Sequence, residues 1–357
     1  MQESSTQPAW HNKLSHAAQL GGIETSVLDN GPGRGTRIAW INTGTGLRYK
    51  VVIDRAMDIV DAFHNQHSLA WISHLGVVAP QPFSNRGVDW LKTFAGGLLT
   101  TCGLSHVGGP EADEFGERGL HGPISNLAAE IESIVQPDPV NGKLDMSITG
   151  RMRQTTTFGP SMELRRTISG TLGQASLRVH DEVINVGNIP APHMLLYHFN
   201  FGWPLLDEGT ALLWNGTWQS LNTDPKIFKE GNDFKRCPAP LEAHRGKGEE
   251  AAAIDPVADS NGTWSCGVHN AKLGLAVALR FKKQQLPWLI NWQHWAPGEY
   301  VSGIEPATHP PIGQAAARKQ NTLIHLAPGE RRHYDLELEV LDNPTRIQQF
   351  LTNTTFQ

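Results

Sequence analysis

The chain has 357 residues, of which 39% are apolar and 18% charged, with a formal net charge of −5 and no basic block. That balance allows a substantial core and argues against wholesale disorder and a nucleic-acid partner, and the apolar runs, such as that from Met194 to Tyr197, are far too short to span a bilayer. Cys102, Cys237 and Cys266 lie far apart with no CxxC pair, and Met1 to Ala9 lacks the cationic start and apolar stretch of a secretory signal, so a reducing cytoplasm is expected rather than a disulfide framework or thiolate zinc site.

In chain order, short β-branched and apolar runs closed by Gly, Pro, Asn or Asp predict strands at 36–42, 49–53, 126–135, 143–153, 162–169, 175–186, 276–281, 321–326 and 332–340. Two alternate cleanly. Leu177, Val179, Asp181 and Val183 share one face against Arg178, His180 and Glu182, and Tyr334, Leu336, Leu338 and Val340 alternate with Asp335, Glu337 and Glu339. A period of two marks half-buried antiparallel strands. Turns punctuate the chain at 29–33, Asn141-Gly142, Gly187-Asn188 and Pro328-Gly329. Short helical pieces are expected only near 84–94 and 344–352. The pattern predicts an all-β fold, a large antiparallel sandwich, as one domain over 1–357 with an N-terminal extension (1–20) and a C-terminal tail (342–357). The 11 Trp residues suit a large core or platforms that stack on sugar rings, and any left exposed would equally serve an interface of a homo-oligomer.

Five segments concentrate Gly, His, Arg and carboxylates beyond what scaffold requires: 54–59 with Arg55 and Asp58, 94–106 ending in His106, 119–126 with His121, 195–202 with His198 and Asn200, and 292–311 with Trp292, Glu305 and His309. Singly, each has an ordinary explanation as a turn glycine, a local ion pair or a hydrogen-bonded core histidine. Together they suggest a site. His198 interrupts an aromatic, apolar strand, where its ring needs partners, and Glu305 is expected at a strand end facing a cleft. A desolvated carboxylate and imidazole across a cleft acquire pKa values suited to acid–base chemistry near neutrality.

The segments also resemble the aldose 1-epimerase, or galactose mutarotase-like, superfamily. Gly119-Leu120-His121-Gly122 is similar to its Leu-His-Gly segment. Tyr197-His198-Phe199-Asn200-Phe201 is similar to the strand carrying its catalytic acid, and Gly303-Ile304-Glu305-Pro306 to the segment carrying its catalytic base. Leu326-Ala327-Pro328-Gly329-Glu330 resembles its closing motif. The order is preserved over roughly 20–341. Tyr197 stands where Asn is usual, Gly122-Pro123 replaces a Gly pair, and the Arg55–Asp58 segment is not a mutarotase hallmark, which marks a divergent branch. The resemblance implies a β-supersandwich, a monosaccharide substrate, no metal or organic cofactor, Glu305 as base and His198 as imidazolium acid. It further implies that Arg55, Asp58, His106, His121, Asn200, Trp292 and His309 bind substrate, with Asp207 or Asp58 as the hydroxyl-binding Asp and Trp203 or Trp295 as further stacking faces. Two other readings stand beside it. One is a metal-dependent lyase or isomerase acting on a sugar acid or oxidised sugar, drawing ligands from His106, His121, His198, His309 and Glu305. The other is a non-catalytic carbohydrate-binding module.

Overall fold

The computed structural model describes residue 10 and residues 12–83 and 85–353. It is built from antiparallel sheets. A five-stranded meander runs in sequence order through Gly22–Val27, Arg37–Asn42, Leu47–Val52, Asp58–His64 and His67–Ser68. An eight-stranded sheet follows the order Ala211–Leu213, Thr263–Asn270, Leu275–Lys282, Arg331–Leu341, Ser176–Asn185, Ser161–Thr171, Asp145–Thr155, Glu130–Val135. The third sheet runs Thr217–Ser220, Glu250–Asp255, Trp288–Ala296, Glu299–Ala307, Ala191–Gly202, Ile324–Leu326, with Thr100–Leu104 also paired to Ala191–Gly202.

The alternation read from the sequence becomes the core. Leu177, Val179, Val183, Tyr334, Leu336, Leu338 and Val340 are all buried, whereas Arg178, His180 and Asp335 face solvent. Burying each large apolar side chain is worth about 1.5–3 kcal/mol. Polar side chains on the outer face then keep the sheet soluble without competing for the core.

The strand Ala191–Gly202 is different, because both of its faces are covered. Leu195, Tyr197, Phe199 and Phe201 join the main core. Met194 and Leu196 point the other way, into a second cluster with Cys102, Trp90, Phe94, Ile290 and Ala307. Strand pleating therefore sets His198 on that second face.

One charged knot ties the three sheets together. Arg166, fully buried, grips Asp181 with two hydrogen bonds (2.9 and 2.7 Å) and donates to the Ala56 carbonyl (3.1 Å) and Thr101 Oγ1 (2.7 Å). The Tyr197 hydroxyl donates to Asp181 (2.7 Å), and Thr101 donates to Asp58 through both its amide (3.0 Å) and its hydroxyl (2.6 Å). Burial pushes the Asp58 carboxyl up to about 6, against the pull of Arg166 and Thr101.

Some expectations need correction. The predicted helix at 84–94 is a single 3-10 turn, Asp89–Lys92, and Ser84 lies outside the described residues. The run 126–135 begins as a strand only at Glu130, because Asn126 closes a 3-10 turn and its side chain bonds Gln81 N (3.0 Å) and Thr93 Oγ1 (3.1 Å). The run 321–326 is a strand only over Ile324–Leu326, since Asn321 takes a left-handed φ of 55°. A helix over Gly313–Lys319, rich in Ala, was not anticipated within the surrounding Pro and Gly. The predicted tail helix is present at Pro344–Asn353 and packs Ile347 and Phe350 onto Leu213, Ala276 and Leu341. Among the described residues no helix is long and apolar enough to cross a membrane.

Removing Arg166 leaves Asp181 and Asp58 buried without their counter-charge. Arg166→Met is expected to lower unfolding stability by about 3–5 kcal/mol, and Tyr197→Phe by about 1–2 kcal/mol, in urea titrations followed by tryptophan fluorescence. A loss below about 1 kcal/mol for Arg166→Met would show that the knot is not structural.

Candidate active site

The second face of the third sheet forms the floor of a cleft of about 450 Å³. Strand pairing sets Leu196 opposite Ala307 and Phe199 opposite Ile304, which places His198 directly opposite Glu305. Glu305 is in turn paired with Ile290, and His198 with Thr100. One row across the sheet thus reads Ile290, Glu305, His198, Thr100, and directly opposed side chains on one face come within contact distance.

The outcome is a close pair. His198 Nε2 lies 3.4 Å from Glu305 Oε1, with both side chains buried. The sequence reading placed the two across a cleft; they stand side by side on neighbouring strands at its floor. His198 Nδ1, Glu305 Oε1 and Asn200 Oδ1 are buried without a hydrogen-bond partner. Unsatisfied buried polar atoms cost about 1–3 kcal/mol each, which makes this cluster a place where a ligand is rewarded.

Burial shapes the charges. It pushes the Glu305 carboxyl well above its usual value, with the Glu249 carboxylate adding to the effect. It pulls His198 down to about 3, opposed only by the Asn200 side chain. Both shifts favour the neutral form of the pair over the carboxylate and imidazolium expected from the sequence.

Aromatic rings enclose the pair. Trp90 and Phe94 stack at 4.2 Å, and Phe94, Trp292 and His121 surround the His198 ring at centroid distances of 5.3, 5.4 and 6.3 Å. Trp292 Nε1 donates to Glu249 Oε2 at 3.0 Å. Of the sequence candidates, His198, Glu305, His121 and Trp292 line the cleft. His121 sits at a left-handed φ of 56° beside Trp90, and burial together with the His198 and His106 rings pulls it down to about 3.

The other candidates lie off the cleft, each held by scaffold. Arg55 donates to three carbonyls, those of Ser125, Val78 (3.1 Å) and Thr93 (2.9 Å). Asp58 belongs to the Arg166 knot. His106 Nε2 donates to the Gly109 carbonyl (2.8 Å), and His309 Nε2 to that of Thr322 (2.8 Å). The Asn200 amide donates to the Gly97 and His198 carbonyls (3.0 and 2.9 Å), which sets it behind His198. Asp207 pairs with Lys272 (3.2 Å), Trp203 is 71% exposed beside Tyr300 on another surface, and Trp295 is buried and donates to Gln293 Oε1 (3.0 Å). Of the residues offered as metal ligands, His106 and His309 are held elsewhere, and among the described residues no group of three or more His, Cys, Asp or Glu is placed to hold a metal ion. Sequence reasoning did not assign Trp90, Phe94 or Glu249 to the site, although Phe94 opens the segment 94–106. The Trp90-x-x-x-Phe94 spacing in a weakly helical stretch was the available signal for the first two.

The glycine-rich segment between Gly96 and Gly109 is wall rather than flap. Gly97 and Leu98 bond to Trp71 and Val60, Thr100–Leu104 is a strand of the third sheet, and Gly108 and Gly109 line the cleft.

No curated protein sequence matches the chain. Solved structures share its architecture, three of them as follows. A protein from Klebsiella pneumoniae, provisionally described as an aldose 1-epimerase, superposes with a TM-score of 0.82 at 23% identity, over 93% of this chain and 86% of that one. A galactose mutarotase-like protein from Clostridium acetobutylicum gives 0.61 at 13% identity, over 90% and 98%. A galactose 1-epimerase from Lactobacillus acidophilus gives 0.58 at 11% identity, over 89% and 98%. At these identities the likeness speaks for the fold, which is the galactose mutarotase-like sandwich. Residues 33–340 match the family model described as "Domain of unknown function (DUF4432)", and the chain belongs to that family.

Proposed function

We propose that the chain is an aldose 1-epimerase-like isomerase that interconverts the anomers of a monosaccharide or sugar derivative. The observation that carries this reading is the buried His198–Glu305 pair, 3.4 Å apart with orphaned polar atoms at the floor of an aromatic cleft. The likeness to solved structures described as epimerases or mutarotase-like supports it at the level of fold.

Mutarotation needs a base to take the anomeric hydroxyl proton and an acid to protonate the ring oxygen as the C1–O5 bond breaks. After rotation about C1–C2, the two transfers reverse to close the ring on the other face. The pair holds one proton, so it can accept and donate in the same step with no net change. With that proton on Glu305, His198 accepts and Glu305 donates. Internal transfer produces the carboxylate and imidazolium of the sequence reading, with the same proton count, so pH dependence reports the pair and not either residue. Each positioned transfer is worth about 10²–10⁴-fold.

Gly303 makes room for this arrangement. It stands two residues from Glu305 on the same face, and a Cβ there would fall 2.1 Å from Glu305 Oε1. The carboxyl tip thus occupies the space that any other residue would fill.

These features generate three expected outcomes. His198→Ala and Glu305→Gln, folded by circular dichroism, should each lose about 100-fold or more of the anomer exchange measured by saturation-transfer NMR; retention of exchange by both variants would sink the epimerase reading. The pH profile of kcat/KM should stay level from mildly acidic to neutral pH. Its acid limb lies near pH 3, where the pair gains a second proton, and its alkaline limb lies well above the usual carboxylate range, where the pair loses its one proton. An acid limb near pH 6.5 would instead identify a solvated His198. Gly303→Ala should displace the Glu305 carboxyl and cut exchange about tenfold or more while changing thermal unfolding little; unaltered exchange would show that the carboxyl tip is free to move.

A further inference from the structure

The cleft's lining also bears on which sugar fits, an inference that rests on the sugar-site reading above. Among the described residues that line it there is no Lys or Arg. Lys92, next to Leu91 in the chain, is exposed and paired with Asp89 (2.7 Å), and Arg86, exposed two residues before Val88, also stays outside the lining. The carboxyl groups that line the cleft are those of Glu249, Glu250 and Glu305. Glu250 is buried and accepts the amides of Lys226 (2.6 Å), Ile227 (3.0 Å) and Phe228 (3.2 Å), so it is engaged with the loop. A sugar carboxylate or phosphate entering this cleft would meet a carboxylate and no counter-charge, and an unpaired anion in such a setting is strongly disfavoured.

The supply of polar partners is also short. Asn222 is engaged at both ends, with Oδ1 accepting the Ala251 amide (3.0 Å) and Nδ2 donating to the Glu249 carbonyl (3.4 Å). Beyond the His198–Glu305 pair, which serves the anomeric and ring oxygens, only His121, Glu249 and the second N–H of Asn222 remain as side-chain partners for hydroxyls. A hexopyranose carries four more hydroxyls. The rest of the wall is apolar, and Val88 and Leu91 are 54% and 52% exposed beside Leu120 and Pro311. Apolar side chains left uncovered at a cleft edge suit an apolar part of a ligand.

We infer that the substrate is a neutral, sparsely hydroxylated monosaccharide, a 6-deoxyhexose or a close equivalent, whose methyl group packs on the patch formed by Val88, Leu91 and Leu120. A 6-hydroxyl placed there would lose its water without gaining a partner, a penalty that corresponds to roughly ten- to a hundred-fold in affinity.

The test separates binding from turnover. The full-length Glu305→Gln variant is titrated by calorimetry with L-rhamnose, L-fucose and 6-deoxy-D-glucose, with the parent hexoses L-mannose, L-galactose and D-glucose, and with D-glucuronate, D-galacturonate and D-glucose 6-phosphate. At least one 6-deoxy sugar should bind about tenfold or more tightly than its parent, and each anionic sugar more weakly than the neutral sugar of its own configuration. Leu120→Asn in the same background should narrow the gap between deoxy sugar and parent. Equal affinity for deoxy sugar and parent, no binding of any sugar, or tightest binding of an anionic sugar would each overturn the inference; in the last case, loss of that binding in Arg86→Ala would assign recognition to the rim. Exchange by wild type is measured on the same sugars. A deoxy sugar that binds selectively without anomer exchange would overturn the epimerase reading and leave the substrate class standing.

Discussion

Everything at this site depends on the pleat of one strand. Ala191–Gly202 is covered on both sides, so each of its side chains is committed to one of two interiors. Leu195, Tyr197, Phe199 and Phe201 hold the sandwich together, while Met194 and Leu196 pack into the second cluster and His198 reaches the cleft floor. A slip of one residue would exchange the two sets, placing His198 in the hydrocarbon core and Tyr197 in the cleft. The Tyr197–Asp181 hydrogen bond and the Arg166 knot resist that slip from the core side, because they have partners only in the observed register. The site is therefore positioned by the scaffold that lies directly beneath it.

Neighbouring residues of this strand show two ways in which a sandwich interior handles ionisable groups. At Tyr197 the solution is charge compensation. Arg166 pairs bidentately with Asp181, with Thr101 and Asp58 completing the network. At His198 there is no counter-charge, and burial instead drives the pair to its neutral form. The first arrangement is rigid and fully bonded. The second leaves His198 Nδ1 and Glu305 Oε1 unsatisfied beside an open cleft. That contrast separates support from reactivity among polar groups that are otherwise equally buried.

The same distinction sorts the sequence candidates. Arg55, His106, His309 and Asn200 looked reactive because polar residues in apolar segments are conspicuous. In the fold, each donates hydrogen bonds to backbone carbonyls of irregular segments that have no strand partner to satisfy them. Long loops around a cleft need such buried donors, since their carbonyls would otherwise be orphaned. These side chains build the walls, and the chemistry is left to the residues they surround.

Alternation at 176–186 and 332–340, the turn residues and the scarcity of helical periodicity made the antiparallel sandwich legible, because the pleat writes burial directly into the sequence with a period of two. His198 and Glu305 were legible as well, through the ordered segments around them and through the oddity of a polar ring in an aromatic strand. Their relation was not. Direct opposition on neighbouring strands, the neutral resting state and the enclosure by Trp90, Phe94 and Glu249 depend on register and burial across strands more than a hundred residues apart. A single strand's sequence specifies which side chains share a face, and only the assembled sheet decides which of them meet, how dry they become and where their proton rests.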